Sequence, residues 1–143
     1  DNGKVNIIEG VLSFTYTENR GAAFGMLQGQ RWFFLIVTIP AIVILAYLIW
    51  KERPNRMVSL SLALILGGAV GNLIDRVFLN YVRDFIYIEL INFPIFNVAD
   101  MGVTIGAAML ICMMLFKKEP IFEFKFLEKK VKEKGKQDGV DNE

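Results

Sequence analysis

The run Trp32–Trp50, WFFLIVTIPAIVILAYLIW, holds nineteen residues without a charge. A hydrocarbon core of about 30 Å takes roughly 20 apolar residues in helix, so this run is predicted to cross a membrane. Two more runs follow it. Met57–Ile74 gives eighteen uncharged residues rich in Leu, Gly and Ala and stops at Asp75-Arg76. Asn97–Phe116 carries one charge, Asp100, and is closed by Lys117-Lys118. The expectation is a membrane α-helical bundle with spans at about 32–50, 57–74 and 97–116. Trp32, Tyr47 and Trp50 stand near the ends of the first span, where aromatic rings favour the headgroup region. Pro40 lies inside that span; membrane helices tolerate proline, and a kink is expected there.

Basic residues set the orientation. Lys51, Arg53 and Arg56 mark the first connection as cytoplasmic, and Lys117-Lys118 put residues 117–143 on the same side. Segments 1–31 and 75–96 then face outward, although Arg76 and Arg83 in the second follow the rule imperfectly. The chain begins Asp1-Asn2 without Met, and an earlier span preceding Asp1 is the simplest account of an outward start. In the first outer segment Leu12, Phe14 and Tyr16 alternate with Ser13, Thr15 and Thr17, a strand pattern of period two. Tyr81–Phe93 is rich in Ile, Tyr and Phe and reads as extended or lying at the interface. A small extracytoplasmic β-sheet resting on the bilayer is therefore expected. Residues 1–116 form one membrane domain, and 117–143, with eight Lys and seven acidic residues, a charged cytoplasmic tail.

The chemistry available is narrow. Sixteen basic against fifteen acidic residues leave a net charge of +1, which argues against a nucleic-acid partner. There is no histidine and one cysteine, Cys112, expected to be packed within the third span. That removes histidine metal sites, Ser-His and Cys-His catalysis and any disulfide within the chain. No metal and no cofactor are expected, and carboxylates are the chemical actors that remain.

Several polar residues collect at the outer ends of the spans. Gly67 and Gly71 form a G-x-x-x-G pair of the kind that lets helices approach closely. Gly68, Asn72 and Asp75 fall at i, i+4 and i+7 and share one helix face. Asp75-Arg76 could equally mark the membrane boundary. Asp84 is a charged island in an apolar stretch, open to a reading as a solvated residue paired with Arg83 or Arg76. Asn97 followed three positions on by Asp100 resembles a capping box, and Asp100 suits a helix N-terminus. Asn19-Arg20-Gly21-Ala22-Ala23-Phe24 alone reads as a turn with a permissive glycine backbone. Convergence shifts the balance, because Asn72, Asp75, Asp84, Asn97 and Asp100 all map to one membrane boundary. Two carboxylates there suggest aspartic-protease chemistry, in which one keeps its proton while the other stays charged.

Together these blocks resemble the lipoprotein signal peptidases, or type II signal peptidases, of bacterial inner membranes. The likeness covers most of residues 3–116: Asn19–Phe24, then Gly67–Arg76 with Val82-Arg83-Asp84-Phe85, then Phe96–Asp100, in order. It implies four membrane helices, of which the first is missing here, and an aspartyl dyad of Asp84 and Asp100. Asn19, Gly21, Asn72, Asp75, Arg76 and Asn97 would orient the dyad and the substrate. The implied reaction removes the signal peptide of a diacylglyceryl-modified prolipoprotein just before the lipidated cysteine. Membrane lipid and a cyclic-peptide inhibitor of the globomycin type are the other implied partners.

Two alternatives come from other classes. A small ion or proton carrier would use intramembrane carboxylates as relays, but would place them at several depths. A non-catalytic membrane subunit held by its glycine face would need no cluster of Asn and Asp outside.

Overall fold

The computed structural model describes residues 3–21, 26–52 and 55–116 of the 143-residue chain. Arg53, Lys117-Lys118, the tail and the Ala22–Phe24 part of the first polar block lie outside the described residues. The elements run β1 (Val5–Ile8), β2 (Leu12–Asn19), α1 (Arg31–Tyr47), α2 (Arg56–Phe78), β3 (Val82–Ile88) and α3 (Val98–Phe116). A wider π-type turn, Leu48–Glu52, extends α1, and a short 3-10 turn, Glu89–Ile91, follows β3.

Arg31–Trp50, Arg56–Phe78 and Val98–Phe116 have mean hydropathies of 2.6, 2.0 and 2.0 and the length to cross a membrane. The α1 backbone continues through Pro40 as helix. Ile36, Val37, Val43 and Ile44 are exposed on its surface, and Leu35 alone is buried. Lipid tails are as apolar as these side chains, so the interior is small and close packing of backbones replaces hydrophobic burial.

That close packing is between α2 and α3. A Cβ at Gly68 would collide with the Ala99 carbonyl and stand 2.7 Å from Val103 Cγ2. On the facing helix, a Cβ at Gly106 would come within 2.5 Å of the Ser61 carbonyl, and one at Gly102 within 3.1 Å of Leu64's. Gly67 meets nothing within 4 Å, so the Gly67–Gly71 pair is not the contact the spacing suggested. The seam runs through Gly68 and Gly71 because the rotation of α2 about its axis turns Gly67 off it.

The second span outruns its expected end at Ile74. A charge does not stop a helix, and Asp75-Arg76 form its last turn, where a cation suits the negative end of the helix dipole. The stop comes at Leu79-Asn80, with Asn80 left-handed at φ 69°. Arg31 at the start of α1 donates to the Val77 carbonyl at 2.9 Å, satisfying one of the open carbonyls of this end. Cys112 is exposed on α3 rather than packed.

The three strands form one antiparallel sheet in the order β1-β2-β3. β1, unforeseen from sequence, pairs back onto β2 through a turn with Gly10 at φ 70°. Between β2 and β3 the register runs from Leu12↔Ile88 to Asn19↔Val82, with one extra residue on β2 between Phe14 and Thr17. Such a bulge re-aims the residues beyond it, and it delivers Asn19 to the last pair, beside Asp84. β3 joins the end of α2 to the start of α3, so the sheet sits at that end of the bundle.

Candidate active site

Asp84 lies in β3 at 1% exposure. A buried carboxylate needs donors, and two amides supply them. Asn19 Nδ2, from the last residue of β2, donates to Oδ2 at 2.9 Å, and Asn97 Nδ2 donates to Oδ1 at 2.8 Å. Asn19 Oδ1 in turn accepts the Gly21 N–H at 3.0 Å, which fixes the orientation of its amide. Gly21 owes its place to contact rather than to an unusual φ, because a Cβ there would run into the Met26 carbonyl.

Asn97 and Asp100 form the capping box that their spacing suggests. The Asn97 N–H donates to Asp100 Oδ2, and the Asp100 N–H to Asn97 Oδ1, both at 3.1 Å. Capping leaves Asp100 Oδ1 available, and Asn72 Nδ2 donates to it at 2.7 Å. Asn97 Nδ2 also reaches Asn72 Oδ1 at 3.1 Å. An unbroken path of hydrogen bonds therefore runs Asp84–Asn97–Asn72–Asp100 and ties β3, α2 and the start of α3 together.

Arg76 supplies the positive charge. Its Nη2 donates to the Gly21 carbonyl at 3.1 Å, and its guanidinium lies 4.5 Å from the centre of the Phe34 ring. Burial pushes the Asp84 carboxyl up from its ordinary value; the amides of Asn19 and Asn97 pull the other way, the charge of Asp100 adds to the rise, and Arg76 opposes it. A cavity of about 460 Å³ opens over these groups, lined by Asn19, Asn72, Arg76, Asp84 and Asp100 on its polar side. Phe93, Pro94, Ile95, Phe96 and Met101 give it an apolar wall. Among the described residues no group of three or more His, Cys, Asp and Glu could hold a metal ion.

Residues 1–116 match the family model described as signal peptidase (SPase) II. The chain belongs to this family. The lipoprotein signal peptidase of Latilactobacillus sakei is 46% identical over 114 residues, which are 79% of this chain and 76% of that protein. That of Caldicellulosiruptor bescii is 46% identical over 126 residues, 88% and 80% of the two chains. Two solved structures, each of a bacterial membrane enzyme, share the fold with TM-scores of 0.76 and 0.72. They are 35% and 37% identical and cover 84% and 82% of this chain, which spans 78% and 77% of theirs. The protein is thus a multi-pass membrane protein of bacteria and an aspartic peptidase of the signal peptidase II type.

Of the eight residues that the resemblance singled out, five line the cavity, Asn19, Asn72, Arg76, Asp84 and Asp100, and Asn97 bonds to Asn72 and Asp84 between them. Gly21 supports them from behind through Asn19 and Arg76. Asp75 stands apart. Among the described residues its side chain accepts three hydrogen bonds, all from Arg83: from the backbone N at 3.0 Å, Nε at 3.1 Å and Nη2 at 2.7 Å. Arg83 therefore pairs with Asp75 and not with Asp84, and Asp84 is not solvated. Strand alternation was the signal that could have excluded an Arg83–Asp84 pair, since neighbours on a strand point to opposite faces.

Proposed function

We propose that Asp84 and Asp100 are the catalytic dyad of this peptidase, acting on prolipoproteins that carry a diacylglyceryl cysteine and cutting just before that residue. The observation that carries this reading is the two-amide bridge of Asn97 and Asn72 between the carboxylates. Neutral amides hold two acids at one cavity without adding a charge that would neutralise either.

The roles follow from the surroundings. Asp84 is buried and keeps the shared proton, and Asp100, in the first turn of α3, acts as the base. Asp100 takes a proton from water as the water oxygen bonds to the scissile carbonyl carbon, and Asp84 gives its proton to the carbonyl oxygen. When the tetrahedral intermediate collapses, Asp100 returns a proton to the leaving nitrogen and Asp84 recovers its own from the hydroxyl. The products are the carboxyl end of the signal peptide and a free amine on the lipidated cysteine. Arg76 and Asn19 orient the substrate backbone, and the apolar wall of Phe93–Phe96 takes its hydrophobic part.

The enzyme works in the bacterial plasma membrane with this cavity on the extracytoplasmic side; the basic connection between α1 and α2 supports that orientation. A cyclic-peptide antibiotic of the globomycin type competes for the same cavity. The test is mass spectrometry of products from a diacylglyceryl precursor and from the same precursor with Ser in place of the cysteine. Cleavage of the first alone, directly before the modified residue, is expected. Equal cleavage of both would overturn the substrate assignment.

A further inference from the structure

We propose that Arg83 is a positioning residue for Asp84, holding the β3 backbone on which that carboxylate is mounted. The inference rests on the dyad reading above. Asp75 closes the last turn of α2 and is buried. All three hydrogen bonds to its carboxylate come from Arg83, one from the main chain and two from the planar guanidinium fork. A fork fixes the carboxylate in direction as well as distance, which a single donor cannot do. The Val82–Arg83 peptide, one residue before Asp84, is thereby locked to α2. On its other side, the N–H groups of Phe85 and Ile86 both donate to the Phe96 carbonyl, at 3.0 and 2.8 Å. Asp84 is held between these two anchors, and the first depends on Arg83.

Arg83 does this from outside the reaction cavity. It lines a second open cavity of about 620 Å³ with Tyr16, Asp75 and Phe85; this cavity backs onto the Asn72 and Asn97 amides of the bridge, and neither Asp84 nor Asp100 borders it. Arg76 faces the Asp84 carboxyl across the reaction cavity, while the charge of Arg83 is paired with Asp75 at 2.7 Å. Arg83 thus works through geometry rather than through substrate contact or field.

The test uses the full chain, purified in detergent, with kcat and KM measured per folded enzyme on a lipidated precursor. Arg83→Met keeps the main-chain bond and loses the fork. It is expected to lower kcat by about 10- to 100-fold, the scale on which small misplacement of a reacting group acts, with KM unchanged. Arg83→Lys, which retains the charge and one donor, recovers part of that loss. The pH profile keeps the limbs of the parent. If Arg83→Met does not fold, Arg83→Lys decides: a lower kcat at the parent's KM supports the proposal, and the parent's kcat overturns it. A kcat equal to the parent's in folded Arg83→Met, or a shifted pH profile, also overturns it. Asp84→Asn is run beside these variants. Its inactivity with a fully active Arg83→Met removes Arg83 alone, whereas an active Asp84→Asn removes the dyad reading itself.

Discussion

Placing one methyl group on each of two adjacent glycines of α2 separates packing at the seam from helix propensity. Gly67→Ala puts its Cβ in open space, so only propensity changes, and alanine is favoured over glycine inside a helix by about 1 kcal/mol. Gly68→Ala gains the same propensity but drives its Cβ into the Ala99 carbonyl and Val103. Neither the carbonyl nor the Val103 backbone N, 3.1 Å from that Cβ, can rotate away. The helices must part, and overpacking of this kind costs about 1–3 kcal/mol. Net, Gly67→Ala should stabilise by up to about 1 kcal/mol, and Gly68→Ala should be less stable than Gly67→Ala by about 1–3 kcal/mol. The activity effect should exceed the stability effect, because Ala99 directly precedes Asp100. A displacement of α3 by about 1 Å moves that carboxylate against Asp84 and can lower the rate by about 100-fold. Unfolding in mixed detergent and cleavage of a lipidated precursor are the two assays. Gly67→Ala and Gly68→Ala behaving alike in both would refute the seam drawn here, and a fully active Gly68→Leu would show that this face meets only lipid.

Other outcomes follow from the same structure. Burial holds the Asp84 carboxyl above its ordinary value, so its contribution to stability is complete below the unfolded-state pKa and is lost as pH rises through the raised folded value. Asp84→Asn, which lacks this titration, should therefore gain stability relative to the parent as pH rises from acid to neutral; thermal unfolding across pH measures the change in the difference. In a Cys112→Ala background, cysteines at Ala22 and Tyr81 should react with a membrane-impermeant thiol reagent in intact cells, and those at Lys51 and Lys118 should not. Labelling at position 51 would reverse the orientation. Thiol reagents should leave the parent's cleavage rate unchanged, since Cys112 is not among the residues lining the reaction cavity.

What was legible in the sequence is what local chemistry decides. Uncharged runs announce the three helices, and the Asn97–Asp100 spacing announces a capping box that is present atom for atom. The alternation in Leu12–Thr17 announces β2, whereas β1 offers four residues without a clear period and forms only because β2 lies beside it. What depends on how elements meet was not legible. Helical spacing sets Gly68 on the face of Asn72 and Asp75 and leaves Gly67 off it, but the rotation of α2 against α3 decides which face touches. The same holds for Asp75, whose neighbour in sequence is the cavity-lining Arg76 while its partner is Arg83 on the next strand. The path through Asn97 and Asn72 is likewise a tertiary fact, because an amide can donate to any carboxylate the fold brings near.

The central claim is that Asp84 and Asp100 act as one unit, and it is tested most directly by cleavage of a lipidated precursor by Asp84→Asn, Asp100→Asn and the double variant. A capping role alone predicts a loss for Asp100→Asn of about 1 kcal/mol or less in stability and a mild effect on rate. A shared proton predicts that each single change abolishes cleavage in folded protein, and that the double variant is little worse than either, as groups acting together are not additive. Substantial cleavage by folded Asp84→Asn or folded Asp100→Asn would contradict the account.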